Sequence, residues 1–243
     1  MRIQIAERYD VHSMFTLDDI HVYILNWKKV NANSVLLYTS IQPIVRNTYI
    51  INCDENFVLD PSIQHIQLDD SCYYGAQFKT AITHVQDNKL FCVIVGDNKP
   101  DNDFSKIFSA ALNAFNNHRI GVYTPHDKRS VHQHVVDTYK DQMYNVVNTD
   151  CGFWFIHPKI YKGIRNLDFT VSKYGWGIDT IVIKEANKFG MLVISDHSIE
   201  TDQLDHTCGY NIKDAANEGA KLMRLYSQLA KNTMMPFMRR RHM

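Results

Sequence analysis

Four side chains in this sequence are placed to do chemistry: Asp54, Asp97, Asp179 and His206. Asp97 follows the apolar run Leu90–Val95, and Gly96 breaks that run just before it. Asp54 closes a second such run, NTYIINCD. Ligand sites in open α/β sheets form beyond the carboxyl ends of strands, so acids there are well placed for a metal or a sugar. Asp97 together with diphosphate oxygens suits a hard divalent ion. His206, in the loop DHTCGYN, suits Mn²⁺ better than Mg²⁺. Asp179 ends YGWGID, where glycines on both sides of Trp176 let backbone approach a ligand closely. The plainer readings stand beside these. Gly-Asp-Asn is good turn chemistry, Asp179 is a good helix cap, and His206 alone is an ordinary loop histidine.

These residues need a scaffold of strands and helices. Ile20–Trp27 is rich in β-branched and aromatic residues and reads as a strand. A helix follows over Lys28–Ile41, then strands over Asn47–Asp54 and around His65–Leu68. Phe78, Ile82 and Val85 recur at helical spacing within 75–85. Leu90–Val95 reads as a strand covered on both faces. Phe104, Ile107, Phe108, Ala111, Leu112 and Phe115 form an apolar helical stripe capped by Asp103, a core face rather than a binding box. Ile120–Thr124 is a further strand. Residues 126–145 read as a surface helix or loop, and Val146–Pro158 as strand, turn and strand. Ile178–Phe189 is an amphipathic helix stopped at Gly190. Met191–Ser195 is the last clear strand, with Asp196 and His197 just beyond it, and Lys213–Lys231 the last helix. Ile3 and Ile5 suggest an added edge strand. Strand–helix–strand repetition predicts an α/β domain with a mostly parallel central sheet and helices on both faces.

Composition bounds the rest. The 243 residues are 45% hydrophobic and 21% charged, ordinary for a globular chain. Net charge is zero with His neutral, which argues against a general nucleic-acid binder. The five Cys are widely spaced, with no CxxC. They read as reduced, mostly buried thiols, hence a cytoplasmic protein. No apolar run approaches a membrane span, and MRIQIAERYD has no signal-peptide core. Dinucleotide, P-loop, zinc-peptidase and serine-hydrolase motifs are all missing.

The order of elements resembles nucleotide-sugar glycosyltransferases of the GT-A fold, in the broad style of family two. IHVYILNWKKVNANSVLLYTSI resembles the opening strand and helix, and NTYIINCDEN the second strand with its base-facing acid. SCYYGAQFKTAI resembles the Tyr/Gly-rich segment, and LFCVIVGDN the strand ending in the metal-binding acid. DCGFWFIHP and YGWGID resemble the acceptor strand and the catalytic-acid segment, and DHTCGY the His-bearing loop of metal-dependent members. The resemblance covers residues 20–212. It implies one GT-A domain over 1–243: a nucleotide-sugar half (20–125), an acceptor half (126–212), and a C-terminal helix with a basic tail (213–243). It places Asn26, Trp27, Asp54, Tyr74, Gly75 and Asp97 around a UDP-sugar, and Trp154, Trp176 and Gly177 around the acceptor. It gives Asp97 and His206 to Mn²⁺ or Mg²⁺ and makes Asp179 the base of an inverting transfer. The family's acidic motif is usually Asp-x-Asp, whereas Gly-Asp-Asn here offers one full-strength ligand.

As a stand-alone, Asn- and Tyr-rich chain it also resembles bacteriophage enzymes that glycosylate hydroxymethylated bases. That implies double-stranded DNA as acceptor, in the host cytoplasm, with Arg239–Arg241 and His126–Lys140 meeting phosphates. Bacterial surface glycan is the next acceptor. A nucleotidyltransferase or a non-catalytic nucleotide-sugar-binding module remain as other classes, and the chain is expected to be a monomer or homodimer.

Overall fold

The computed structural model describes residues 14–99, 101–128, 135–149, 151–204 and 209–239, with side chains described as far as residue 229. The suggested edge strand at Ile3 and Ile5 lies outside these residues, as do His206, Cys208, Arg240 and Arg241.

One nine-stranded sheet carries the molecule, in the order β3-β2-β1-β4-β8-β5-β9-β7-β6. Its strands are β1 (Ile20–Asn26), β2 (Thr48–Asn52), β3 (His65–Gln67), β4 (Leu90–Val95), β5 (Ile120–Asp127), β6 (Val135–Lys140), β7 (Met143–Val146), β8 (Phe153–Ile156) and β9 (Leu192–Thr201). The helices are α1 (Asn31–Ile41), α2 (Tyr74–His84), α3 (Phe104–Asn117), α4 (Pro158–Ile164), α5 (Ile178–Lys188) and α6 (Ile212–Arg239).

The expected mostly parallel sheet is corrected. β1 pairs in parallel with β2 and β4, and β2 with β3. Beyond β4, β8 runs antiparallel to both β4 and β5, and β7 runs antiparallel to both β9 and β6. Only the β5–β9 pair is parallel in that half. All four residues of β8, FWFI, are buried. A strand covered on both faces reads the same in either direction, because its apolar run holds no alternation.

Residues 126–145 are also corrected, among those described: β6 and β7 form an antiparallel hairpin rather than a helix. Asp141 makes its turn at φ +51°, a conformation that Asp tolerates better than most residues. β9 runs on through Asp196 and His197 to Thr201 instead of ending at Ser195. Asp196 is buried because Tyr123 Oη and the Ser198 N–H and Oγ donate to its carboxylate.

Alternation along the strands sorts the core into two layers. Tyr23, Leu25, Phe91 and Val93 face α2, α4, α5 and α6. Val22, Ile24, Cys92 and Ile94 face α1 and α3. Helices therefore cover both faces, as expected. Among the described cysteines, Cys53 and Cys92 are buried, Cys72 and Cys151 half-buried, and none of these four is in a disulfide.

His21 on β1 is buried and its Nδ1 has no partner. Burial pushes its pKa down to about 4, helped by the positive charges of Lys89 and His84 and opposed by Asp19. The unfolded chain therefore takes up a proton near pH 6.5 that the folded chain refuses until about 4. Stability falls as pH drops through that window. His21→Phe, which cannot titrate, should flatten the fall in melting temperature between those two pH values. An unchanged pH profile would show that His21 is not the group responsible.

Candidate functional site

The carboxyl ends of β1, β2 and β4 meet at one edge of the sheet. Asn26 and Asn52 are register partners at the ends of β1 and β2, and Leu25 pairs with Val95 of β4. Just beyond them stand Asp54 and the turn Gly96–Asn98, with Asp54, Asp97 and Asn98 all buried.

A network of amides fills this edge. Asn31 Nδ2 donates to Asp54 Oδ2 at 2.6 Å. A carboxylate only accepts, so the Asn31 amide must turn its oxygen toward Asn26. Asn26 Nδ2 donates to that oxygen at 2.8 Å and to Asn52 Oδ1 at 2.7 Å. Asn52 Nδ2 in turn donates to the carbonyls of Asp54 and Phe57 and to Gln67 Oε1. The orientation of every amide follows from Asp54 and the backbone carbonyls. It leaves Asn26 Oδ1 as a fully buried acceptor with no partner. Such an orphan costs roughly 1–3 kcal/mol, a cost more often found at functional sites than in a plain core. Asp54 Oδ1 accepts from the Asn56 N–H at 3.1 Å.

The Asp97 turn is held from three sides. Asn33 Nδ2 donates to the carbonyls of Gly96 and Asn98, each at 2.7 Å. Asn98 Nδ2 donates to the carbonyls of Val95 and Gly152. The Leu204 N–H donates to the Asp97 carbonyl at 2.7 Å, and Lys99 pairs with Asp202. His206 itself lies outside the described residues.

From the turn, contacts continue to the loop that leads into α5. Gly152 is preceded by Cys151, whose carbonyl accepts from Tyr74 Oη at 2.9 Å. A Cβ on Gly175 would lie 2.4 Å from the Tyr74 ring, so ring and loop are in direct contact. Gly177 then caps α5 at φ +85°, where a side chain would be strained. Asp179 is half-buried in the first turn of α5. Burial raises its pKa above the usual carboxylate value, against the lowering pull of first-turn backbone N–H groups and the Thr180 hydroxyl. A carboxylate of raised basicity beside a loop is suited to accepting a proton.

The remaining expected site residues divide. Trp27 is half-buried directly after β1. Trp176 is among the exposed large side chains. Trp154 is fully buried in β8 with its indole N–H donating to Thr149 Oγ1, so it presents no face to an acceptor. Gly75 is needed for close packing. A Cβ there would lie 2.1 Å from the Ser172 carbonyl oxygen and 2.5 Å from that of Phe169. Backbone cannot yield as a flexible side chain can. Gly75→Ala should therefore cost about 3 kcal/mol or more, read as a lower denaturant midpoint. An unchanged midpoint would mean that the segment 169–175 gives way freely. Asn31, Asn33, Asn52 and Gln77 are the participants the sequence reading missed. Gln77 Nε2 donates to the carbonyls of Asn26 and Ile51 and so seals the floor. Buried amides leave no periodic signal, although the run of Asn beside β1 was a hint.

Among the described residues no three His, Cys, Asp or Glu side chains converge as a metal site. One buried carboxylate, Asp97, is too few ligands for a preformed protein cage and fits a cation that arrives with diphosphate oxygens.

No family model matches the sequence, and no curated protein matches it. Among solved structures the fold is similar to GalNAc-T7 with UDP, GalNAc and Mn²⁺, at TM-score 0.53 and 8% identity. The similarity covers 79% of this chain and 45% of that one, so the chain spans under half that protein's length. The architecture is thus GT-A-like: a mixed α/β sheet with helices on both faces. No helix among the described residues is long and apolar enough to cross a membrane.

Proposed function

We propose that the protein is a glycosyltransferase that moves a sugar from a nucleoside-diphosphate sugar, a UDP-sugar by the resemblance, to a hydroxyl. The observation that carries this reading is the continuous chain of contacts from the buried Asn26–Asn52–Asp54 network, through the Asp97 turn and Tyr74, to the loop that leads into α5, whose first turn holds Asp179. Donor and acceptor chemistry need such adjacent ends.

In this reading Asp54 accepts from an N–H group of the base, with the Asn26–Asn52 amides holding the floor beneath it. Asp97, with His206, would hold Mn²⁺ or Mg²⁺, which supplies charge neutralisation on the departing diphosphate. Asp179 takes the proton of the acceptor hydroxyl as its oxygen bonds to the anomeric carbon. The bond from that carbon to the diphosphate breaks, and a single base opposite the leaving group gives inversion. The segment after β1 favours this over nucleotidyl transfer. It is a short 3-10 turn, Lys28–Val30, leading into α1, where nucleotidyltransferases carry a Gly-rich basic loop.

Of the acceptors that the resemblance offers, hydroxymethylated pyrimidine in DNA needs cations free to meet phosphates. Lys128, in the basic stretch, is paired with Glu200 at 2.9 Å, and His126 is stacked on His197 with centroids 4.0 Å apart. Those are surface contacts of two residues, and Arg129, His132 and His134 of the same stretch lie outside the described residues.

The test is thermal stabilisation by nucleotides and nucleotide sugars, with and without Mn²⁺. A ligand that binds only the native state raises the melting temperature. A shift with UDP or a UDP-sugar that grows with Mn²⁺, followed by transfer to a hydroxyl, is the expected result. A shift without transfer or donor hydrolysis would favour a binding module, and no shift at all would remove the transferase reading.

A further inference from the structure

We infer that Tyr73, Tyr174, Trp176 and Tyr210 form a stacking shelf for a pyranose ring of the acceptor, which makes that acceptor an oligosaccharide. The inference rests on the transferase reading for its placement, since the shelf lies beside the proposed base.

The four rings come from three separate segments: the residue before α2, the loop before α5 and the loop before α6. Tyr73 is 43% exposed, Trp176 37% and Tyr210 41%, so three large rings meet solvent. They are nevertheless fixed in place. Tyr174 and Tyr210 stack at 4.7 Å with planes 15° apart. Trp176 Nε1 donates to Tyr210 Oη at 3.0 Å, edge-on to that ring. Tyr73 meets Tyr174 edge to face at 5.6 Å.

The backbone beneath is fixed as well. The Gly175 N–H bonds the Ser172 carbonyl, and the Lys173 N–H bonds Glu218 Oε2 at 2.9 Å. A Cβ on Gly219 of α6 would lie 3.0 Å from the Trp176 carbonyl oxygen, so α6 abuts the loop directly. A shelf already rigid loses little entropy when it binds.

The chemistry of the shelf selects a saccharide. One face of a pyranose presents C–H groups, which suit the negative face of an aromatic ring. Its rim presents hydroxyls, and tyrosine hydroxyls can bond them. Lys173 places its ammonium 3.9 Å over the Tyr73 ring, so this cation is engaged by the ring's π face rather than poised for phosphates. Position matters too. Trp176 precedes Asp179 by three residues, at most about 11 Å of chain.

The test is saturation-transfer NMR of the full chain with maltohexaose, chitohexaose and xylohexaose in turn. A decaproline peptide and an oligothymidylate serve as probes of the other ligands that aromatic surfaces take. At least one hexasaccharide should bind, and Trp176→Ala and Tyr210→Ala should each weaken it about tenfold. Tyr210→Phe, which keeps the ring and loses the hydroxyl, should weaken it less. Circular dichroism checks that each variant is folded, and Tyr210→Phe carries the test if the alanine variants are not.

Three results would overturn the inference: no hexasaccharide binding, hexasaccharide binding that all folded variants retain in full, or variant-sensitive binding of decaproline or oligothymidylate instead. Saccharide binding by a protein that UDP never stabilises would leave the shelf standing and remove the transferase reading. UDP stabilisation without saccharide binding would do the reverse.

Discussion

Asp179→Asn should reduce sugar transfer by about a hundredfold or more while leaving the UDP-dependent rise in melting temperature almost unchanged. The substitution keeps shape and removes only the ability to take a proton. Asp179 lies on α5, whereas the network proposed to hold the donor lies at the ends of β1, β2 and β4, so donor affinity should persist. A second effect has the opposite sign. Burial raises the Asp179 pKa, so the folded protein holds this proton at pH values where the unfolded chain has released it. Stability therefore falls as pH rises from the ordinary carboxylate value through the raised one, and above that the penalty is constant. Asp179→Asn has no such penalty and should melt at a higher temperature at neutral pH. Lost activity with increased stability is what a destabilised functional carboxylate gives. A variant that keeps full turnover would remove Asp179 as the base, and one that melts lower would mean that its carboxylate stabilises the folded chain.

Elements whose burial is one-sided or complete announce themselves in the sequence. β1, β2 and β4 were legible as apolar runs, and α3 as a stripe from Phe104 to Phe115, because covering layers demand apolar residues at fixed periods. Direction within the sheet was not legible. Phe153–Ile156 runs opposite to β4 because its connection enters from the other end, and nothing in four consecutive buried residues records that. β6 hid for another reason: on an exposed edge, VVDTYK has no inner face to mark. The carboxyl-end acids Asp54 and Asp97 were visible from strand ends alone. Their surroundings were not, because Asn26, Asn31, Asn52 and Gln77 answer each other's donors and acceptors in space. Trp154 shows the converse limit. An aromatic residue inside an apolar run is first a core residue, and its donor was satisfied within five residues by Thr149.

Asp97→Asn should abolish the part of the UDP-dependent stabilisation that Mn²⁺ adds, and transfer should fall with it. The turn itself should survive. The Leu204 N–H bonds the backbone carbonyl of Asp97, and the Asn33 and Asn98 amides bond neighbouring carbonyls, contacts that do not use the Asp97 charge. What is lost is one full negative charge beside the diphosphate. A ligand present at about a hundredfold over its dissociation constant stabilises a protein by roughly 2.7 kcal/mol. A Mn²⁺-dependent increment of that order in the native chain should shrink to near zero in the variant, while UDP alone shifts both equally. Because Gly-Asp-Asn offers a single carboxylate where relatives of the resembled family carry several, the loss should be almost complete rather than partial. If Asp97→Asn retains the Mn²⁺ increment, the cation is held elsewhere, and the strand end at β4 has no part in binding it. If UDP alone no longer stabilises the variant, Asp97 meets the nucleotide directly, and its role is recognition rather than charge neutralisation.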